Sequence, residues 1–153
     1  MKQKIRGLLL LLCVGLLAGI PSERLQAATG KTTVALSGSS VNIGDTVKVT
    51  VKASGPSGEK TVSTMTLSYD TDIFSFVDCP ATYGGGGSSV TATSDSFTVT
   101  LKAVGAGSGK LSVSGSDGVV FDTNEELDSM EGSSATVTVN NAAGAGNSDS
   151  GTD

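Results

Sequence analysis

The sequence predicts an all-β fold, an antiparallel β-sandwich of about eight or nine short strands. Apolar and polar side chains alternate with a period of two in several segments, which is typical of strands that bury one face. Valine is the commonest large apolar residue after position 28, and valine favours strands over helices. Segments rich in glycine, serine and aspartate separate the strands, and no stretch has a convincing helical period.

The alternation is clearest in residues 46–53 and 97–103. Pro80 ends the most apolar segment because proline has no amide hydrogen to donate to a strand ladder. The four glycines at 84–87 predict a mobile loop or a place where another backbone comes close. Residues 125–130 are the one candidate for a helical turn. The predicted strands are 33–36, 46–53, 62–69, 73–77, 90–92, 97–103, 110–114, 119–121 and 136–139.

The apolar faces of these strands predict the core. In the segment 62–69, Met65, Leu67 and Tyr69 share one face, so Tyr69 is expected inside the sandwich. The same alternation selects the inward residues of the other strands. The predicted core residues are Val47, Val49, Val51, Met65, Leu67, Tyr69, Phe74, Phe76, Phe97, Val99, Leu101, Leu111 and Val113.

The two ends of the chain differ from the strand-rich part. Residues 1–28 begin with a basic head (Lys2, Lys4, Arg6), continue with an apolar run over 7–20 and end in small residues, which predicts a secretory signal peptide. The apolar run is shorter than the roughly 20 residues of a membrane-spanning helix, although an uncleaved anchor is the alternative. The expected organisation is a signal peptide at 1–28, a sandwich at 29–140 and a flexible linker or tail at 141–153.

The composition excludes several classes of function. The chain has no His and no Trp, so a His-dependent catalytic triad and His metal ligands are impossible. The net charge of −5 argues against nucleic-acid binding. Cys79 is the one cysteine left after signal cleavage, which rules out an intramolecular disulfide; it is expected to be a small buried apolar residue or to form an intermolecular bridge. We expect no enzyme activity.

The acidic segments have simple explanations. Residues 122–128 carry oxygen ligands at alternate positions, but Leu127 stands where a calcium loop of the EF-hand type needs glycine. A solvated acidic loop is therefore expected there, and no cofactor is predicted; a bound calcium ion is the alternative. Asp70 and Asp72 are expected to cap a turn, because Asp side chains bond to nearby backbone amides.

Polar strand faces are the candidate binding surfaces. We predict partner contacts at Thr64, Thr66 and Ser68, which face away from the core, and at Tyr83, which directly precedes the glycine run in the sequence. Thr98, Thr100 and Lys102 are the alternative docking surface. Simple exposure to water is the ordinary role of both sets. With one ring at Tyr83, the chain has a poor platform for stacking on sugars.

The order of these motifs resembles that of bacterial cohesin modules. The resemblance lies in Val41-Asn42-Ile43-Gly44-Asp45-Thr46-Val47-Lys48-Val49, in Met65-Thr66-Leu67-Ser68-Tyr69-Asp70 with Ile73 and Phe76-Val77, and in Phe97-Thr98-Val99-Thr100-Leu101-Lys102-Ala103. It covers roughly residues 33–139 and implies a jelly-roll (Ig-like) β-sandwich related to carbohydrate-binding modules. Cohesins typically bind dockerin modules through one exposed sheet face. Val62 and Thr64 stand where dockerin-binding members often carry Asn or Asp.

Together, the residues and the resemblance predict a secreted recognition module outside a bacterial cell, either free or attached to the cell surface. Its expected partner is a dockerin-type protein or a polysaccharide, in a polysaccharide-degrading system. The alternative is a structural spacer or adhesin sandwich of a larger surface protein, without a ligand of its own. The domain is expected to be monomeric, with no membrane span after signal removal.

Overall fold

The computed structural model describes residues 27–80 and 84–142, and these residues form eleven β-strands and no helix. Most of the predicted signal peptide, most of the predicted tail and Tyr83 lie outside the described residues. None of the described residues belongs to a helix that could span a membrane. The strands are β1 (Thr29–Leu36), β2 (Ser40–Asn42), β3 (Thr46–Ser54), β4 (Thr61–Tyr69), β5 (Phe74–Asp78), β6 (Gly84–Gly86), β7 (Ser89–Ser94), β8 (Ser96–Ala103), β9 (Gly107–Val120), β10 (Ser129–Glu131) and β11 (Ser133–Asn140).

The strands form two sheets, as the sequence predicts for a β-sandwich. The five-stranded sheet has the order β10-β1-β3-β8-β5, and the six-stranded sheet has the order β2-β11-β9-β4-β7-β6. Most neighbours are antiparallel, but β10 runs parallel to β1 and β2 runs parallel to β11. Since β10 and β11 are separated by Gly132 alone, the chain passes there from the edge of the five-stranded sheet to the strand beside the edge of the six-stranded sheet.

The core lies between the inward faces of the two sheets. In the five-stranded sheet, Val49 of β3 stands opposite Val99 of β8, and both side chains are fully buried. Each such side chain stabilises the fold by roughly 1.5–3 kcal/mol relative to an exposed one. Twelve of the thirteen residues predicted for the core have exposed fractions of 5% or less, whereas Phe76 is only half-buried. Phe76 lies on β5, which is the edge of its sheet and has a neighbour on one side only.

Three local predictions are wrong. The glycine run is not a mobile loop: Gly84–Gly86 form β6 and pair with β7, which agrees with the alternative prediction that another backbone comes close there. Residues 125–130 contain no helical turn; Glu126 instead forms a bridge with Val119. The predicted strands at 110–114 and 119–121 are joined in one strand, β9, which pairs along β4 with a register shift at Val62/Thr64. The short strands β2, β6 and β10 raise the number of strands above the predicted eight or nine.

Candidate functional site

The candidate site is the outer face of the six-stranded sheet, built around β4. Burial alternates along this strand, with Met65 and Leu67 fully buried between the sheets. Because successive side chains of a strand point to opposite faces, Thr64, Thr66 and Ser68 point away from the core. The strands β7 and β9 flank β4 on its two sides and extend the surface.

Strand register aligns hydroxyl groups in rows across this face. Thr66 stands between Thr91 of β7 and Ser114 of β9, and Ser68 stands between Ser89 and Ser112. Two cross-strand pairs are hydrogen-bonded, with 2.9 Å between the Oγ1 atoms of Thr64 and Thr93 and 2.9 Å between those of Thr66 and Thr91. We call the surface formed by Thr64, Thr66, Ser68, Ser89, Thr91, Thr93, Ser112 and Ser114 the hydroxyl face.

The hydroxyl face is polar but almost uncharged. Neither β4 nor β7 contains a charged residue, and Lys110 is the one charged residue of β9 between Gly107 and Ser116. Hydroxyl groups both donate and accept hydrogen bonds, so the face is able to match donors or acceptors of a partner. Removing hydroxyl groups from water also costs less free energy than removing charged groups. These properties suit a surface that becomes covered by another protein.

The hydroxyl face is held in place by strand pairing and by hydrogen bonds at the end of β4. β4 is paired on both sides, and the turn between β6 and β7 is fixed to its end by Tyr69. The Tyr69 hydroxyl donates a hydrogen bond of 2.6 Å to the Gly87 carbonyl, and the Tyr69 amide donates one of 3.0 Å to the Ser88 carbonyl. Burial of the ring raises the pKa of the Tyr69 phenol above its ordinary value. Tyr69 is therefore a structural residue here and offers no sugar platform.

A small polar cluster lies at the start of β4. The Lys60 ammonium lies 3.4 Å from the Asp95 carboxylate and 5.1 Å from the centre of the exposed Phe121 ring. Partial burial acts to raise the pKa of Asp95, but the charge of Lys60, together with hydrogen bonds from Lys60, the Asp95 amide and the Ser94 hydroxyl, outweighs it, so the pKa is lowered overall. The cluster links the start of β4, the turn between β7 and β8 and the end of β9. The Lys60 ammonium is already paired with the Asp95 carboxylate there.

The acidic residues considered from the sequence are not gathered into a metal site. In the described part of the chain, no group of three or more His, Cys, Asp or Glu side chains is arranged to hold a metal ion. Asp70 lies in the turn before β5, where its Oδ1 accepts a hydrogen bond of 2.9 Å from the Asp72 amide. In the segment 122–128, Leu127 is buried and Asp128 accepts a hydrogen bond from the Ala28 amide at 2.8 Å.

The structure brings together Thr64, Thr66 and Ser68, the three predicted contact residues that it describes. Sequence reasoning did not single out Ser89, Thr91, Thr93, Ser112 or Ser114, which complete the surface. Alternation showed which side of their own strands they occupy. It did not show which strands are neighbours or at what register, because strand pairing depends on contacts that are distant in sequence.

Comparison with known proteins gives a likeness in structure alone. No protein-family model and no curated protein matches the sequence. A cohesin module from a Clostridium perfringens family 33 glycoside hydrolase is similar, with a TM-score of 0.55 and 15% identity over 76% of this chain and 99% of that one. CaCohA2 from Clostridium acetobutylicum has a TM-score of 0.52 and 23% identity over 75% of this chain and 93% of its own. In a CaDoc0917–CaCohA2 complex, the match has a TM-score of 0.51 and 21% identity, over 72% of this chain and 99% of the other.

These similarities establish a cohesin-like β-sandwich as the fold of this chain. The predicted likeness to cohesin modules is thereby confirmed at the level of the fold.

Proposed function

We propose that this chain is a secreted, non-catalytic recognition module that binds a dockerin-type protein through its hydroxyl face. The observation that carries the proposal is the uncharged array of aligned hydroxyl groups on the central strands of a cohesin-like sandwich. A structurally similar module, CaCohA2, is found in complex with CaDoc0917, which supports a protein as the partner. Residues 1–28 act as the export signal, and the mature module works at the bacterial cell exterior in a polysaccharide-degrading system.

The chemistry of the hydroxyl face favours a protein over a neutral polysaccharide. Sugar rings bind most strongly to exposed aromatic side chains, and β4, β7 and β9 present none on this face. Protein interfaces form about one hydrogen bond per 100–200 Å² of buried area, which rows of serine and threonine satisfy. A binding function of the hydroxyl face would also distinguish this module from the alternative, a structural spacer without a ligand.

Binding of dockerin modules from the same organism, measured by calorimetry with the full mature chain, tests the proposal. Thr66→Arg places a large cation at the centre of the hydroxyl face and is expected to weaken binding at least tenfold. Thr98→Arg is the matched control, since Thr98 lies on the opposite sheet and shares a similar hydroxyl pair, 3.0 Å from the Thr50 Oγ1. Both substitutions are at half-buried outward positions, so both variants are expected to fold.

The result expected is saturable binding by the unaltered chain and by Thr98→Arg, with loss confined to Thr66→Arg. Equal affinities of the two variants would place the contact elsewhere. If no dockerin module binds, the protein-recognition proposal fails. Export is tested separately by sequencing the amino terminus of the secreted protein, which is expected to begin close to Thr29.

A further inference from the structure

The cations of the described residues are concentrated on the outer face of the five-stranded sheet. These residues contain six lysines and no arginine. Four of the six are exposed and point outward from this sheet: Lys31 on β1, Lys48 and Lys52 on β3, and Lys102 on β8. We call the surface formed by Lys31, Lys48, Lys52, Lys102 and the threonines between them, Thr33, Thr50, Thr98 and Thr100, the lysine face.

The register of β1, β3 and β8 places the lysines in two diagonal pairs. Lys102 stands opposite Thr46 and Lys48 stands opposite Thr100, so these two lysines are diagonal neighbours. Lys31 and Lys52 are diagonal neighbours in the same way across β1 and β3. Diagonal positions are about 7–8 Å apart. Lys52 is four positions after Lys48, which separates the two pairs by about 13 Å along β3.

No carboxylate neutralises the centre of the lysine face. The strands β1, β3 and β8 contain no Asp or Glu. At the two edges of the lysine face, Glu131 of β10 stands opposite Lys31 and Asp78 of β5 stands opposite Thr100, so these carboxylates lie at its margins and not at its centre. The one ion pair among the described residues, Lys60–Asp95, lies elsewhere. Five exposed carboxylates are instead found in the last part of β9 and in the segment that follows it, at Asp117, Asp122, Glu125, Glu126 and Asp128. A positive surface therefore persists on a chain whose net charge is −5.

We propose that the lysine face binds an acidic polysaccharide, one whose repeating units carry carboxylates. Two ammonium groups at diagonal positions repel each other weakly through water, so an anion that binds between them relieves an unfavourable interaction. Threonine hydroxyls beside each ammonium are able to bond to sugar hydroxyls, and the Thr50–Thr98 pair lies between the two lysine pairs. This surface is on the opposite side of the sandwich from the hydroxyl face, so the inference goes beyond the proposed function and does not depend on it.

The side chains on the lysine face favour a polysaccharide over a membrane or a nucleic acid. Ala35 is the largest apolar residue among the outward positions of β1, β3 and β8, and peripheral membrane binding requires buried apolar side chains. The same positions carry no aromatic side chain, so unpaired bases have nothing on which to stack. An extended chain of carboxylated sugars needs neither feature.

Sedimentation of the mature chain with insoluble polygalacturonate, in low salt, tests this inference. Two double variants make the comparison fair, because each removes two positive charges. Lys48→Gln/Lys102→Gln removes one pair from the lysine face, whereas Lys60→Gln/Lys110→Gln removes the two lysines that lie outside it. Removal of each lysine from the face is expected to weaken binding roughly two- to fivefold. Uncharged dextran and vesicles of phosphatidylglycerol serve as the other ligands.

The result expected is binding to polygalacturonate that is lost at high salt and weakened about fourfold to 25-fold in Lys48→Gln/Lys102→Gln, but far less in the matched variant. Equal losses in the two variants would mean that net charge, not this surface, governs binding. Binding to the vesicles without binding to the polymer overturns the inference. The inference is also overturned if the chain does not bind the polymer but associates with itself in a salt-sensitive way. Thr66→Arg is expected to retain polymer binding, which separates this inference from the dockerin proposal.

Discussion

Gly109 tests the packing of one sheet on the other. It is a buried residue of β9 in the six-stranded sheet, and the space that a Cβ would fill is occupied from the opposite sheet. A Cβ at this position would contact the Phe74 Cε2 directly and would lie 2.7 Å from the Phe74 Cζ and 2.8 Å from the Ile73 Cγ2. Phe74 is 1% exposed, so its ring has no solvent-filled space into which to move.

We expect Gly109→Ala to lower the free energy of unfolding by about 1–2 kcal/mol. Overpacking of a core costs about 1–3 kcal/mol. Replacing a glycine by alanine also restricts the unfolded chain, which offsets about 0.4–1 kcal/mol of that cost. Urea unfolding, followed by circular dichroism, measures the difference in the free energy of unfolding between the variant and the unaltered chain. If the slope of this free energy against urea concentration is the same for both, the substitution has not changed the area exposed on unfolding.

Gly38→Ala is the matched control, because the nearest atom to its added Cβ is the Ser40 carbonyl oxygen at 3.6 Å. This variant is expected to change stability by no more than about 0.5 kcal/mol. Adding Phe74→Leu to Gly109→Ala is expected to recover part of the lost stability, because the smaller side chain makes room for the added Cβ and the two residues are in contact. If Gly109→Ala is as stable as the Gly38 variant, the two sheets do not pack as described.

Two further predictions concern ionisable groups. Tyr69→Phe is expected to lose about 1 kcal/mol because the Gly87 carbonyl loses its donor. The raised pKa of Tyr69 means that its stabilising contribution is complete below pH 10 and declines as the pH rises further, so the variant should show a flatter alkaline decline in melting temperature. The lowered pKa of Asp95 means that its contribution is present above its ordinary pKa of 3.8 and disappears as the pH falls through the lower folded value. Asp95→Asn should therefore lower the free energy of unfolding by less than about 1 kcal/mol at pH 7 and by nothing near pH 2. If the loss of stability is the same in acid or in 1 M salt, the Lys60 ion pair is not its cause.

The sequence was sufficient to predict the sandwich because its signals are local. Along β3, valine alternates with polar residues, and this period of two both specifies a strand and selects its buried face. The same reasoning placed Tyr69 in the core, where it is 5% exposed. Side-chain alternation is strongest on strands in the middle of a sheet, which have one face on the core and one in water.

The errors arose where backbone pairing decides the structure. Gly84–Gly86 has no side chains that indicate a strand, but its backbone groups pair with Ser89–Thr91 across a tight turn. Gly87 has a φ of 72°, a left-handed conformation that glycine adopts without strain. The entropy of a glycine run argued for a loop, and the hydrogen bonds of the hairpin outweighed it.

Both candidate surfaces depend on information that the sequence does not display. Alternation puts Lys48 and Lys52 on the side of their strand opposite the predicted core residues Val47, Val49 and Val51. Their grouping with Lys31 and Lys102, however, follows from the sheet order β1-β3-β8. The rows of the hydroxyl face likewise require the register of β4 with β7 and β9. Pairing of strands distant in sequence converts scattered polar residues into continuous surfaces, and this step needed the structure.

Amide chemical-shift mapping by NMR, with the mature chain titrated by a dockerin module that it binds, tests recognition through the hydroxyl face most directly. The largest shifts are expected on β4, β7 and β9, at residues such as Thr66, Thr91 and Ser114. The strands β1, β3 and β8 should change little. Shifts concentrated on Lys48, Lys52 and their neighbours instead would contradict the assignment of protein recognition to the hydroxyl face.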